Sequence, residues 1–365
     1  MMEQTKKYAE LDDFNAIACL LVVFVHVLSA AITALDPSSV QAAIVFLPWK
    51  LSLYVVRGFL FTGAVKMALG FARDDRPLTV RGYLRYMLRR VTKIWLPYAA
   101  WVGVYYIYFL RVGWVKGGMD VFWRYVFVGD LSAQFYYVVV VMQFYLLMPL
   151  WKRILDRVPF FSAALISAAI SFLMLYSADF LPYVGLPAIG GRIFASYLLF
   201  WVLGLYVGRH YDTVRAALTS HVRAVMAMLI PILLYAVGAL IEHAKGITLF
   251  DDSVMKMFTD TMSVCVVLTL CILFRDHAQA HPILRMLKRP LAFVYAASYT
   301  VYLSHCLFLQ ITASKLSACG ITDIGVQLLW RALVCFTVPF LLWYLWQTVK
   351  KGAAVLIRNC MRKKA

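Results

Sequence analysis

Charge is scarce in this chain. Asp, Glu, Lys and Arg make up 15% of 365 residues, while 63% are hydrophobic, and the mean hydropathy is +0.77. A soluble domain carries about 25% charged residues, so no water-facing surface is available here. That shortage excludes the soluble multidomain protein that 41.6 kDa would otherwise suggest, and it excludes disorder. No solenoid-type repeat recurs, and no stretch is polar enough for a sizeable extramembrane domain. The seven cysteines lack any Cys-x-x-Cys spacing, are odd in number and sit mostly inside apolar runs. They are expected to be small buried hydrophobes, not a disulfide frame or a zinc site.

What is there instead is a succession of apolar runs. Ten come close to the roughly 20 residues that cross a bilayer as a helix: 14–34, 44–70, 92–111, 133–151, 159–178, 193–208, 223–241, 257–274, 291–314 and 325–349. The expected fold is all-α, a single polytopic membrane helix bundle over residues 1–365 with no separate soluble domain. Connections are short, and Leu181, Pro182, Gly185 and Pro187 mark a loop. No inverted repeat of the transporter kind stands out.

Lys and Arg (36) outnumber Asp and Glu (18), giving a net charge of +18. In a soluble chain this would suggest nucleic acid. Here the cations alternate loop by loop. Lys6, Lys7, Arg73, Arg76, Arg81–Lys93, Lys152–Arg157, Arg209–Arg223, Arg275–Arg289 and Lys350–Lys364 fall on one side. Lys50, Arg111, Lys116, Arg124, Arg192, Lys245, Lys256 and Lys315 fall on the other, a bias of about three to one that reads as positive-inside. Both termini are therefore expected in the cytoplasm, with the lipid bilayer as partner and no nucleic acid. Glu10, Asp12 and Asp13 before the first run, and His26 within it, argue for a retained helix over a cleaved signal peptide. A basic tail without an organelle signal fits a bacterial inner membrane. Trp49, Trp95, Trp101, Trp114, Trp123 and Trp151 read as interfacial belt residues.

Ionisable groups at membrane depth are costly, so function is sought there. At about 1.5 Å per residue, His26, Arg57 and His305 fall within one or two turns of a common level near the bilayer centre. Gln143, Tyr299 and Tyr302 lie close to it. A single histidine at this depth also fits a plain interhelical hydrogen bond; two histidines and an arginine together point to a shared polar cavity. Asp12 and Asp13 are placed at one end of the bundle, and Asp130, Asp179 and Asp260 near the other. Arg57 is therefore expected to lack a carboxylate partner and to face an anionic ligand or water. No metal is expected. Arg81, Arg85, Arg89 and Lys93 recur every four residues and stripe one face of an amphipathic helix. Such a stripe fits anionic lipid, and it also fits the phosphates of a nucleotide-carrying donor.

Five blocks in order along nearly the whole chain resemble the acyltransferase 3 family of integral membrane acyltransferases. They are Leu11-Asp12-Asp13-Phe14-Asn15 running on to His26, then Phe61-Thr62-Gly63 and Arg90 to Tyr98. Gln143-Phe144-Tyr145 to Pro149 and Ser298-Tyr299 to His305 complete the set. Asn15 stands where the family pattern has Arg or Lys eleven residues before its key His, and Met142 where many relatives have an acid. The resemblance implies a cytoplasmic acyl-CoA donor, commonly acetyl-CoA, and a hydroxyl acceptor on a cell-envelope glycan or lipid-linked sugar.

It also implies His26 as general base, with His305 orienting it or shuttling a proton; the residues alone leave either histidine open. Asp12 and Asn15 belong to the block that ends at His26. Arg57 or Tyr302 would stabilise the oxyanion, and Arg85, Arg89, Arg90 and Lys93 would hold the donor's phosphates. No Ser or Cys is grouped with a His as a nucleophile, so direct transfer is expected. Two other readings stand beside this one. An exporter of a saccharide or small anionic substrate would use the same cavity, against which stand the missing repeat and the missing intramembrane acid. A silent scaffold or sensor is suggested by Asn15.

Overall fold

The computed structural model describes residues 8–73, 79–180 and 190–362. Lys6, Lys7, Arg76, Lys363, Lys364 and the loop expected at 181–187 lie outside the described residues, as do the side chains of Asp179, Arg358 and Arg362. Every regular element among the described residues is helical. In chain order the α-helices are α1 (Glu10–Ala34), α2 (Val40–Ser52), α3 (Val55–Arg73), α4 (Val80–Arg90), α5 (Leu96–Arg111), α6 (Met119–Val128), α7 (Tyr136–Leu146) and α8 (Met148–Arg157). They continue as α9 (Phe160–Phe180), α10 (Leu198–Arg209), α11 (Tyr211–Ser220), α12 (Val222–Ala227), α13 (Leu229–Lys245), α14 (Asp252–His277), α15 (Pro282–Ala318) and α16 (Ile324–Arg362).

Among the described residues, six helical stretches are long and apolar enough to cross a membrane: α1, α2 with α3, α12 with α13, α14, α15 and α16. A seventh forms if α7 and α8, bent by 59° at their junction, count together. Two of the remaining expected runs give shorter helices. The run 92–111 divides into a wide π-helical turn, Val91–Trp95, and the 16-residue α5. The run 193–208 becomes a 3-10 turn and the 12-residue α10. Helices of these lengths rise about 24 and 18 Å, less than the roughly 30 Å of a hydrocarbon core.

Two tiers of ion pairs tie the bundle together. At the end where α1 begins, Lys66 Nζ lies 2.9 Å from Asp12 and Arg215 lies 3.4 Å from Glu10, while Arg275 pairs with Asp13. These acids occupy the first turn of α1, where a carboxylate also favours the helix dipole. Toward the end carrying the α1–α2 loop, Lys50 meets Asp252 at 2.7 Å and Arg57 pairs with Asp260.

Between the two tiers α3 and α10 pack backbone to backbone. Gly204 and Gly208 of α10 lie against Ala64 and Ala68 of α3. A methyl added at Gly204 would come within 2.4 Å of the Phe61 carbonyl oxygen, and one at Gly208 within 2.6 Å of that of Val65. Small residues on both faces allow this approach. Cys19, Cys271, Cys306 and Cys335 are buried as free thiols, Cys265 is half-buried and Cys319 is exposed. Trp151 departs from the expected interfacial belt. It is buried, and its indole donates to the Phe144 carbonyl across the α7–α8 bend at 2.7 Å.

Candidate functional site

α1 and α15 pack along one another and set His26 against His305, with ring centroids 5.1 Å apart and planes tilted by 50°. His305 is fully buried, and its Nδ1 lies 3.0 Å from the Val301 carbonyl one turn back. A carbonyl only accepts, so Nδ1 carries the proton and Nε2 keeps its lone pair. The Cys306 thiol is 3.3 Å from that nitrogen. His26 is half-buried and lines a cavity of about 370 Å³ together with Arg57, Gln134, Tyr136, Tyr197, Lys256 and Tyr302. His305 stands behind His26 and is not part of the cavity lining.

One hydroxyl fixes α15 at this height. Tyr105 of α5, wholly buried, accepts from the Leu307 amide at 2.7 Å and donates to the Leu303 carbonyl at 3.0 Å. It therefore stands inside the helical ladder where the Leu307-to-Leu303 bond would run, one turn that contains His305. The second lone pair of the hydroxyl accepts from Gln134 Nε2 at 2.9 Å, which uses its full bonding capacity. Gln134 in turn accepts from the Ser132 hydroxyl at 2.7 Å, and its backbone carbonyl accepts from Tyr302. The Tyr302 proton is thus already committed. Tyr105 and Gln134 do not stand out in the sequence, because one tyrosine among 22 carries no mark of a ladder insertion.

Arg57 overturns its expectation. It pairs with Asp260 of α14, and the two side chains are only 16% and 7% exposed. The carboxylate sits at this depth because α14 begins at Asp252, before the apolar run at 257. Asp251 caps it by accepting from the Ser253 and Val254 amides at 2.9 and 3.2 Å, which places Asp260 two turns inside the helix. The absence of an intramembrane acid accordingly no longer weighs against coupled transport. Lys256, one turn before Asp260 and expected in an outer connection, lines the same cavity. Its ammonium has no hydrogen-bond or ion-pair partner among the described residues.

Asp12 and Asn15 lie elsewhere. Eleven residues separate Asn15 from His26, about 16 Å along the helix axis. Asp12 is held by Lys66 at 2.9 Å, and Asn15 Oδ1 accepts from the Thr62 hydroxyl at 2.7 Å. The block around Asn15 and the block Phe61-Thr62-Gly63 therefore meet at the end of the bundle opposite the cavity. Gln143 is also drawn away, clamping the Arg192 carbonyl and the Phe194 amide at 2.9 Å each.

On α4 and the π-helical turn, Arg81, Arg85, Arg89 and Lys93 are all exposed. Arg90 turns inward over the rings of Tyr86 and Tyr145, 4.9 and 4.5 Å from their centroids. Burial pushes the Tyr86 hydroxyl up to about 12, so it stays protonated beside the guanidinium. Tyrosines fill the ground between this stripe and the histidines. Tyr299 donates to the Ile94 carbonyl of the wide turn at 2.7 Å. Tyr137 and Tyr302 are 5.5 Å apart, and Tyr302 is 6.3 Å from His305. A second cavity of about 380 Å³ near the start of α1 is lined by Arg73, Arg209 and His210 among others. Its Arg209 is engaged by the Leu155 carbonyl and lies 3.7 Å from Asp156.

For a metal, the only candidate set among the described residues is His26, His305 and Cys306, whose ligand atoms all lie within 4.8 Å of one another. Occupancy would replace the Cys306–His305 contact and take up the Nε2 lone pair. The family model described as an acyltransferase domain matches residues 8–347. No curated protein and no solved structure matches the chain.

Proposed function

The chain belongs to the acyltransferase 3 family, and from that premise we propose that it moves an acyl group, acetyl in the simplest case, from a cytoplasmic acyl-CoA to a hydroxyl of a cell-envelope glycan or lipid-linked sugar. One observation carries the reading: His26 forms part of the wall of a cavity that also presents Arg57 and Lys256, while His305 backs it with a fixed tautomer. In the reaction the acceptor oxygen attacks the thioester carbonyl as its proton passes to the His26 imidazole. The oxyanion that develops draws on the Arg57 N–H groups not engaged by Asp260. The carbon–sulfur bond then breaks, and the imidazole returns the proton to the departing thiolate. A positioned base of this kind is worth about 10²–10⁴-fold in rate.

Arg85, Arg89 and Lys93 suit the donor's phosphates because they are exposed, cationic and without ion-pair partners among the described residues. Arg90, spent on two tyrosine rings, serves as a lining group between that stripe and the histidines. The imidazoles act as proton carriers and not as metal ligands in this reading, so a chelator is expected to leave the transfer rate unchanged. The charge bias favours ten crossings, with α5, α9 and α10 joining the longer helices, both termini in the cytoplasm and residence in a bacterial inner membrane.

The test is the thermal stability of the detergent-purified protein titrated with acetyl-CoA, in the native chain, in His26→Ala and in Arg85→Ala/Arg89→Ala. A ligand that binds only the folded state stabilises it by mass action. Saturable stabilisation that persists in His26→Ala and weakens in the arginine pair is expected. No shift at millimolar donor would overturn the donor site. The Arg57–Asp260 pair keeps saccharide export as a second reading, under which acetyl-CoA leaves stability unmoved.

A further inference from the structure

The cavity beside His26 holds more positive than negative charge. Arg57 and Lys256 both line it, and the Asp260 carboxylate makes its ion-pair contact with Arg57 while reaching Lys256 only through space. The next acid along α14, Asp252, is taken by Lys50 at 2.7 Å and by the Tyr235 hydroxyl at 2.6 Å. Lys256 is therefore left with an ammonium that faces the cavity and makes no hydrogen bond or ion-pair contact among the described residues. A cation held at membrane depth without a counter-ion is costly, and a ligand that supplies the missing charge relieves that cost. Arg192 adds a third cation nearby, acting electrostatically on Tyr197 of the cavity wall, as Arg57 does. Its Nε is buried and has no hydrogen-bond partner among the described residues. The remaining polar lining, Gln134, Tyr136, Tyr197 and Tyr302, is neutral and suits sugar hydroxyls.

We propose that the acceptor taken by this cavity is an acidic sugar, whose carboxylate or phosphate is held by Lys256 and Arg57 while a neighbouring hydroxyl faces His26. The inference rests on the acyltransferase reading and narrows its substrate class. The two anion chemistries share the same recognition. A guanidinium offers a planar pair of donors and an ammonium a point charge, and both accept either oxyanion. The acidic group stays at the cavity mouth as an anchor and takes no part in bond making. The proton is lost from the hydroxyl alone.

The experiment titrates full-length purified protein with D-glucuronate, D-glucose 6-phosphate and D-glucose at constant ionic strength, following thermal stability. Acetyl-CoA is titrated in parallel. Saturable stabilisation by at least one acidic sugar, with glucose at least tenfold weaker, is expected. Lys256→Met should abolish that preference, and Lys256→Arg should restore it. Equal responses to all three sugars, no response to any, or an undiminished preference in Lys256→Met would each overturn the inference. If acetyl-CoA still stabilises the protein in such a case, only the acceptor assignment falls. If it does not, the acyltransferase reading falls with it.

Discussion

At the scale of single residues, the site is set by groups that hold other groups. Tyr105 holds a turn of α15, Asp260 holds Arg57, and Val301 holds the His305 tautomer. Asp260→Asn leaves a guanidinium uncompensated in the membrane, and breaking a buried pair in this way costs about 3–5 kcal/mol. A marked fall in melting temperature is expected, with partial recovery in Asp260→Asn/Arg57→Met, since removing both charges removes the imbalance. Tyr105→Phe frees the Leu307 amide to bond Leu303 directly and lets the turn at His305 relax. The expected result is a kcat at least tenfold lower with acetyl-CoA affinity unchanged, measured by steady-state transfer and by donor titration. A structural defect alone would lower both. The two histidines and Arg57 are legible in the sequence because ionisable residues in apolar runs are rare enough to stand out. Asp260, Lys256 and Tyr105 are not: hydropathy alone leaves the first two near the edge of a span, and the third is one aromatic among many.

The helices explain why those ends were misplaced. A hydropathy reading finds where a helix is apolar, whereas the helix itself begins where a cap and a favourable dipole allow. α1 begins at Glu10, four residues before its apolar run, because its acids are paired and lie in the first turn. α14 begins at Asp252 because Asp251 caps it. The long runs near 14–34, 223–241, 257–274, 291–314 and 325–349 each became a membrane-length helix. The runs 92–111, 133–151 and 193–208 are divided by a π-helical turn, a bend and a 3-10 turn that leave no trace in hydropathy, whereas 159–178 is the unbroken α9. The α3–α10 contact was visible in principle as Gly204 and Gly208 spaced by four, although Leu and Val on either side mask it. Gly204→Ala is expected to destabilise by about 1–3 kcal/mol, the usual cost of overpacking, because its methyl would meet a backbone oxygen that cannot swing aside. Denaturation of the purified variant reads this directly, and Gly70→Ala on α3, with open space around it, is the matched control.

For the whole molecule, a tyrosine-rich interior separates the candidate donor stripe on α4 from the cavity beside His26, with Tyr299 bonded to the Ile94 carbonyl on one side and Tyr302 beside His305 on the other. Under the proposed reaction the donor's phosphates stay at the stripe while only its acyl-thioester end reaches the acceptor at His26. Arg85→Ala/Arg89→Ala and Lys256→Met should therefore affect donor and acceptor titrations independently, with effects that add in the combined variant. The ion pairs at the start of α1 also impose an order in time. Asp13 pairs with Arg275, 262 positions downstream, and Glu10 with Arg215. At roughly 5–20 residues per second, the first helix emerges from the ribosome tens of seconds before its partners exist. During that interval its acidic end must stay in the watery headgroup layer, so α1 settles to its final depth only after α14 has been synthesised.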